Sequence, residues 1–307
     1  MAESFQLVKP EILERWVRIA RLMGIPSEAY TPKVKLVGDL SGKSDYSFGV
    51  MHNDYRAKRY GGLSKSDCPL CRTVKETLEN PSKQLFEESP LDNSIVILNK
   101  FPQMIGSALV VSTQTPDVPI HTTENLEGLI RKLDNLFSFA DQTGYGIHVN
   151  TLGAGASIPW HDHSHLANYG WAFEQAGEIY GFEGAETIPI RKNSRIRRIC
   201  NYPFFHLIFP QDEAERIVYF LRQLGRKIGP KTKEKIIPHT ICQGRNKDIL
   251  VTPVKSSEGG IGAGQTMGNI MVKNPEDFEK VDFNWCINHL KDNLFIREEL
   301  SFLERFL

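Results

Sequence analysis

Three histidines alternate with other residues near the middle of the chain, at His161, His163 and His165. The run 145–150 just before them has the composition of a strand, and side chains two residues apart on a strand point to one face. Each imidazole carries two polar nitrogens that need partners, so three on one face rarely serve packing alone. The spacing predicts a site whose histidines act as a nucleophile, as metal ligands, or as both.

The residues that lead to these histidines are rich in glycine, with Gly153 and Gly155 followed by Ser157. Glycine lets a backbone approach a ligand closely, and exposed backbone N–H groups can bind an anion. The Ser157 hydroxyl could donate a hydrogen bond to a leaving oxygen, or it could belong to an ordinary turn. We therefore expect a phosphate-handling site with a histidine nucleophile next to a metal.

Two cysteines, Cys68 and Cys71, are separated by two residues. Such a pair can bind a metal, act as a redox pair or arise by chance. A redox pair usually follows a strand, whereas residues 61–67 do not read as one, so the pattern favours a metal. Further ligands would come from distant histidines, and the candidates are His121, His161, His163 and His165. The remaining histidines are expected to be ordinary core or surface residues, namely His52, His148, His206, His239 and His289.

The composition is that of a globular protein of 307 residues, with 37 basic and 37 acidic side chains. This balance gives no general electrostatic reason to bind nucleic acid or an anionic membrane. No apolar run reaches the roughly 18 residues of a membrane span, and the first residues lack the pattern of a secretory signal. An odd count of five cysteines adds to the expectation of a reducing cytoplasm.

Hydrophobic periodicity and turn residues predict a mixture of helices and short strands. Residues 25–66 have no sustained period and are expected to be loop-rich. Helices are predicted at 10–23, after Cys71 to about 79, from about 121 to 140, at 212–227 and near the C-terminus. Strands are predicted at 94–99, 107–112, in the glycine–histidine region, at 204–209 and as a pair within 239–253. The glycine-rich run 259–268 is expected to be a loop.

Similar sets of elements occur in the regions 94–171 and 204–272, which suggests a weak internal duplication. We divide the chain into residues 1–66, an N-terminal helix and extended segment that packs on the core, residues 67–175, a catalytic half, and residues 176–307, a degenerate second half. No low-complexity segment or long linker separates the halves, so they are expected to form one compact unit.

The order of these motifs resembles the histidine-triad superfamily, and within it the branch of galactose-1-phosphate uridylyltransferases and diadenosine-tetraphosphate phosphorylases. The resemblance covers roughly a third of the chain. Its motifs are the cysteine pair, the run 99–102 with the strand that follows it, His121 before a helix, the glycine-rich loop from Asn150, and the three alternating histidines. It implies an α+β histidine-triad-like fold of antiparallel sheets with packed helices.

The resemblance also implies a role for each matching residue. His163 is the nucleophile that holds a nucleotidyl group, and Cys68, Cys71, His121 and His161 bind a structural zinc. Asn99 contacts the ribose, Asn150 and the backbone of Gly153 and Gly155 contact the phosphates, and Ser157 contacts the bridging oxygen. The substrate is a nucleotide small molecule, and a homodimer is possible.

Two positions depart from the family pattern. Three residues rather than the usual two, Ile158, Pro159 and Trp160, separate Ser157 from His161. The third histidine, His165, stands where the transferases and many phosphorylases have glutamine, and it could protonate a leaving group or activate water. The loop must bulge for Ser157 to reach the site, and hydrolysis remains open as an activity.

These features predict a nucleotidyltransferase or phosphorylase that acts at the α-phosphate of a nucleotide-sugar or a dinucleoside polyphosphate. The first alternative is a hydrolase that uses the same nucleotidyl-histidine intermediate. Two others are a cupin-like metal protein and a nucleotide-binding protein without turnover. The base, the acceptor and the contribution of the second half are not predicted.

Overall fold

The computed structural model describes most of the chain. The described residues are 8–39, 41, 47–57, 67–102, 105–114, 126–151, 154–155, 158, 160–168, 187–200, 202–228, 237–243, 248–255, 261–300 and 302.

The first helix, α1 (Pro10–Leu22), confirms the predicted amphipathic segment. Proline at its first position and Glu11 in its first turn are both favourable there. Its apolar face is buried, and Trp16 in that face donates from Nε1 to the carbonyl of Ser107 at 3.0 Å. The helix therefore covers the loop that joins the first two strands of the main sheet.

Helices and strands alternate along the rest of the chain. The other helices are α2 (Asp54–Ala57), α3 (Pro69–Glu79), α4 (Leu126–Thr143), α5 (Ala214–Ile228), α6 (Ala263–Thr266), α7 (Pro275–Lys280), α8 (Phe283–Lys291) and α9 (Arg297–Leu300). The strands are β1 (Lys33–Gly38), β2 (Ser47–His52), β3 (Ser94–Leu98), β4 (Ala108–Ser112), β5 (Gly146–Asn150), β6 (His163–Ala167), β7 (Thr187–Pro189), β8 (Arg197–Ile199), β9 (Leu207–Phe209), β10 (His239–Gln243), β11 (Ile249–Pro253) and β12 (Asn269–Val272).

The main sheet is antiparallel and has the strand order β3-β4-β6-β5-β10-β11-β9-β8-β7. Strands β3 and β4 form the predicted hairpin, with Val96 paired to Val110. In sequence, β3-β4-α4-β5-β6 and β8-β9-α5-β10-β11 are both strand-strand-helix-strand-strand units with the same order in the sheet. The two units join where β5 pairs antiparallel with β10. This repeated topology is compatible with the suggested duplication, which remains a prediction.

Each face of the main sheet has its own buried cluster. One face packs against α1, α4 and α5, and its cluster includes Val110, Val149 and Ile241. The other face carries two clusters, one around α3 with Leu109 and Val111 and one around α8 with Cys242 and Leu250. Alternate residues of each strand thus point either to the face covered by α1, α4 and α5 or to the opposite face, which holds the histidines.

Residues 25–66, which are expected to be extended and loop-rich, contain two strands that the sequence pattern did not identify. Strands β1 and β2 form an antiparallel pair, and β2 also pairs in parallel with β12 near the end of the chain. Residues 48–52 of β2 are buried, so this segment has no alternating pattern that would mark a strand. The glycine-rich run 259–268, also predicted as a loop, contains α6 immediately before β12.

None of the described helices is both long and apolar enough to cross a membrane.

Candidate active site

Three metal-ligating side chains come together beside the edge strands of the main sheet. Cys68 immediately precedes α3, Cys71 lies in its first turn, and both sulfur atoms lie 3.3 Å from Nδ1 of His161. Among the described residues this is the one group of three whose ligand atoms all lie within 4.8 Å of one another. The arrangement could hold a metal ion.

The second nitrogen of His161 fixes the orientation of its ring. Nε2 lies 2.8 Å from the carbonyl oxygen of Ser112. Since a carbonyl only accepts hydrogen bonds, Nε2 carries the proton and Nδ1 keeps the lone pair that a metal requires. Burial and the neighbouring Cys68 together raise the pKa of the Cys71 thiol to about 11. Two adjacent thiolates therefore need a cation to be stable here.

The structure brings together three of the four predicted metal ligands. His121 lies outside the described residues. The strand predicted to carry all three alternating histidines begins only at His163, and His161 precedes it. His161 lies outside the strand because its side chain contacts the two cysteines. The next residue still pairs with β4, since the Ser112 N–H donates to the Asp162 carbonyl at 3.0 Å.

His163 has the geometry of a nucleophile. Its side chain is buried, and Nδ1 lies 2.8 Å from the carbonyl oxygen of His161. This contact places the proton on Nδ1 and leaves the lone pair on Nε2. Burial lowers the pKa of His163 to about 4, so the ring is neutral at physiological pH. A neutral imidazole with a fixed tautomer can attack a phosphorus atom.

His165 and His148 extend the row of imidazoles. The rings of His163 and His165 meet edge to face, with centroids 5.4 Å apart. His165 pairs directly with His148 on β5, so the two side chains share one face of the sheet. Burial lowers the pKa of His148 to about 3. Sequence reasoning treated His148 as ordinary, because only the pairing of β5 with β6 brings it beside the triad.

The loop between β5 and β6 rests on the segment just before α6. Gly155 has φ +72°, and a Cβ atom there would lie 2.5 Å from both Cα and N of Gly262. Asn150 Oδ1 accepts a hydrogen bond of 2.7 Å from the backbone N–H of Ala263. Two predicted substrate-binding residues therefore also join the histidine site to the C-terminal part of the chain, a contact that the sequence did not reveal.

Of the remaining predicted site residues, the structure describes Asn99 but not Gly153 or Ser157. Asn99 is half-buried after β3, and its Oδ1 accepts a 3.0 Å hydrogen bond from the backbone N–H of Phe101, so this atom is engaged in the turn. Gly153 and Ser157 lie outside the described residues. Part of the extra length before His161 is buried, because Ile158 and Trp160 pack in the cluster around α3.

The corresponding strand of the second half has no imidazoles on this face. Strand β11 has the place in the second unit that β6 has in the first, and its residues on this face are Leu250 and Thr252. The Thr252 hydroxyl lies 2.7 Å from Nδ1 of His206, and both residues are buried. Leu250 packs in the cluster that contains Leu290 of α8. This part of the sheet is filled core.

Solved structures with the same fold were found. Yeast Ap4A phosphorylase Apa2 superposes with a TM-score of 0.61 at 14% sequence identity, covering 94% of this chain and 96% of that chain. Its complex with Ap4A gives a TM-score of 0.62 at 16% identity, covering 94% and 97%. Its complex with AMP gives 0.57 at 14%, covering 90% and 91%.

No protein-family model matches the chain, and no curated protein matches it in sequence. The structural likeness extends over nearly the whole of both chains, although few residues are identical. The chain therefore has the fold of the Ap4A phosphorylase, and the histidine-triad-like α+β fold predicted from the order of the motifs is confirmed.

Proposed function

We propose that the protein is a nucleotidyltransferase or phosphorylase that acts at the α-phosphate of a dinucleoside polyphosphate or a nucleotide-sugar. The observation that carries the proposal is the state of His163, a buried and neutral imidazole whose Nδ1–H is held by the His161 carbonyl. The fold supports it, because Apa2, which has this fold, was solved with Ap4A and with AMP.

The reaction consists of two displacements at phosphorus. In the first, the Nε2 lone pair of His163 forms a bond to the α-phosphorus, and the bond to the leaving oxygen breaks with its electron pair. In the second, an oxygen of the acceptor attacks the phosphoramidate and His163 leaves as the neutral ring. The half-buried His165, 5.4 Å from His163 between ring centroids, is the group placed to transfer protons to and from these oxygens.

Substrate binding is assigned to residues around this ring. Asn99 contacts the ribose, and Asn150 with the backbone of Gly153 and Gly155 contacts the phosphates. Because Oδ1 of Asn150 accepts from Ala263 and Oδ1 of Asn99 accepts from Phe101, their amide N–H groups are the parts assigned to substrate. Ser157 donates to the bridging oxygen, and donors of this kind stabilise charge that develops in the transition state.

The metal in this proposal is a structural zinc bound by Cys68, Cys71, His161 and His121. Bond lengths of about 2.3 Å to sulfur and about 2.05 Å to nitrogen place these atoms roughly 3.5 Å apart in a tetrahedral site. The two sulfur–nitrogen distances of 3.3 Å fit this geometry. These residues would hold the zinc, and His161, fixed in this way, would orient His163 through its carbonyl.

Hydrolysis of the same intermediate is the second candidate activity. The observation that favours it is His165, a half-buried imidazole that could remove a proton from an attacking water. The cupin-like alternative is not supported, because His161 turns towards two thiols while Nδ1 of His163 is engaged by a carbonyl. The non-catalytic alternative is tested by the experiment below.

The cytoplasm is the proposed place of action. All five cysteines are free thiols in the structure, as expected in a reducing compartment. Nucleotides are the proposed ligands, and a homodimer stays a prediction from the family resemblance.

The proposal is tested by intact-protein mass spectrometry after mixing the protein with Ap4A or with nucleotide-sugars. The expected result is an acid-labile adduct of one nucleoside monophosphate, absent in His163→Ala and retained in a control variant, His289→Ala. Discharge by phosphate or a sugar phosphate identifies a phosphorylase or transferase, and discharge by water alone identifies a hydrolase. No adduct with any donor, or an adduct that persists in a folded His163→Ala variant, would contradict the proposal.

A further inference from the structure

A largely buried ion pair lies behind the histidine segment. Lys132 of α4 reaches Asp162 with 2.5 Å between Nζ and Oδ1. The side chains are only 13% and 22% exposed, so both charges are removed from most of the solvent. Lys132 projects from the helix that covers the opposite face of the sheet, and Asp162 separates the metal-ligating and nucleophilic histidines.

The segment 161–163 is held from several sides. Nε2 of His161 donates to the Ser112 carbonyl, and the Ser112 N–H donates to the Asp162 carbonyl. The His161 carbonyl in turn accepts from Nδ1 of His163 at 2.8 Å. The contacts to Ser112 come from β4, whereas the contact of Asp162 with Lys132 comes from α4. A shift of Asp162 would also move the carbonyl of the preceding residue, His161. That carbonyl fixes the tautomer and the orientation of the His163 ring.

General stability is a poor explanation for this pair. Desolvation of two charges offsets much of their attraction, and apolar side chains of similar size are often as stabilising as a buried pair. A charged pair with a short contact does fix the relative position of two elements. A lysine at position 132 is therefore better explained by its effect on the position of Asp162 than by its contribution to the stability of the fold.

We propose that Lys132, acting through Asp162, is a positioning residue for His163 in nucleotidyl transfer. The inference rests on the proposed function. The pair fixes the peptide segment that aims Nε2 of His163 at the α-phosphorus, while the substrate is bound by other residues. Loss of the pair lowers the rate of bond formation and leaves substrate affinity almost unchanged, because the aim of the nucleophile matters in the transition state.

The experiment measures the single-turnover rate of adduct formation against Ap4A concentration, or against whichever nucleotide-sugar gives the adduct. We expect Lys132→Met to lower the maximal rate about 10- to 100-fold, in line with the effect of small misplacements, and to change half-saturation less than about 2-fold. Lys132→Arg should recover most of the rate. The matched control is Arg197→Met, which breaks the Arg197–Asp248 ion pair of the second half.

A double variant separates position from stability. Lys132→Met with Asp162→Leu removes both charges, so the melting temperature should return towards that of the wild type while the rate stays low. The inference is overturned if the double variant forms the adduct at the wild-type rate, or if folded Lys132→Met does so. It is also overturned if Arg197→Met lowers the maximal rate as much as Lys132→Met does. A wild-type protein that forms no adduct overturns the proposed function first, whereas a normal wild type beside a normal Lys132→Met overturns the inference alone.

Discussion

At the scale of single residues, the chemistry depends on which nitrogen of each imidazole carries the proton. Nε2 of His161 donates its proton to the Ser112 carbonyl, which leaves Nδ1 free for a metal, whereas Nδ1 of His163 donates to the His161 carbonyl, which leaves Nε2 free for attack. The two histidines thus have opposite tautomers, and each tautomer fits the role proposed for its residue.

The metal site gives a prediction at this scale. Purified wild-type protein should bind about one zinc per chain, and Cys71→Ser should weaken binding by more than about 10-fold because a thiolate is lost. If metal binding contributes about 3 kcal/mol, chelation should lower the melting temperature of this 307-residue chain by roughly 5 °C. Metal content and calorimetry provide the measurements.

Cys200→Ser is the control for this prediction, because Cys200 is half-buried and outside the cluster. It should bind zinc as the wild type does. Equal zinc content in Cys71→Ser and Cys200→Ser would show that the thiol pair does not bind the metal.

Single residues also show which contacts of the candidate site could be predicted from the sequence. The distance of 90 residues or more between the cysteines and His161 was bridged only by the resemblance to a known family, since spacing alone cannot show that distant residues meet. Asn150 was expected to face substrate, but its contact with Ala263 depends on a pairing 113 residues away. Such contacts have no local signature, so the sequence could not predict them.

At the scale of elements, the loop between β5 and β6 depends on the segment before α6. Gly155→Ala should destabilise the protein by about 1–3 kcal/mol more than Gly24→Ala, because its Cβ would lie 2.5 Å from the Gly262 backbone. Both glycines have φ near +70°, but a Cβ at Gly24 would meet nothing within 4 Å, so that variant measures the backbone term alone, about 1–2 kcal/mol.

Urea unfolding of the two variants measures the difference. The rate of nucleotidyl adduct formation should also fall in Gly155→Ala and stay normal in Gly24→Ala. Equal losses of stability in both variants would mean that the loop moves away from Gly262 at little free-energy cost.

The elements that the sequence predicted are those with a clear local pattern. The amphipathic α1 and the hairpin β3–β4 lie within one or two residues of their expected ends. Two of the strands that were not predicted, β2 and β12, have a different character. Strand β2 is buried along five of its six residues, and β12 follows a glycine-rich run, so neither shows the alternation that marks a half-exposed strand.

At the scale of the whole molecule, buried histidines with lowered pKa values predict how stability depends on pH. Burial lowers the pKa of His148 and of His206 to about 3 and that of His239 to about 4. These rings are neutral in the folded protein but become protonated in the unfolded chain below its pKa of about 6.5. Stability should therefore be constant above that pH and fall as the pH drops towards the folded-state values, by about 1.4 kcal/mol per pH unit for each ring.

His206→Asn isolates one of these rings. Between pH 7 and pH 5 its unfolding free energy should fall by about 2 kcal/mol less than that of the wild type. Both proteins are compared in EDTA, because proton competition for metal ligands adds its own pH dependence. If the unfolding free energies of the variant and the wild type fall by the same amount between these pH values, His206 is not a group that titrates on unfolding.

The paired strands also show that the row of imidazoles lies in one half of the main sheet. Direct pairing across the sheet gives one row of side chains in the order Leu109, His165, His148, Cys242, Leu250. The imidazoles in this row end where the second half begins. The sequence showed that the second half lacks the motif, but only the packing of α8 shows that hydrophobic core fills the corresponding place.

The small sheet has a consequence for how the protein is made. The parallel partner of strand β2, β12, is synthesised about 220 residues after it. At roughly 5–20 residues per second the delay is about 10–40 s. During that time Phe48 and Val50, fully buried in the finished protein, have none of their C-terminal neighbours to cover them. During this interval the nascent chain exposes these apolar side chains to chaperones and to misassembly.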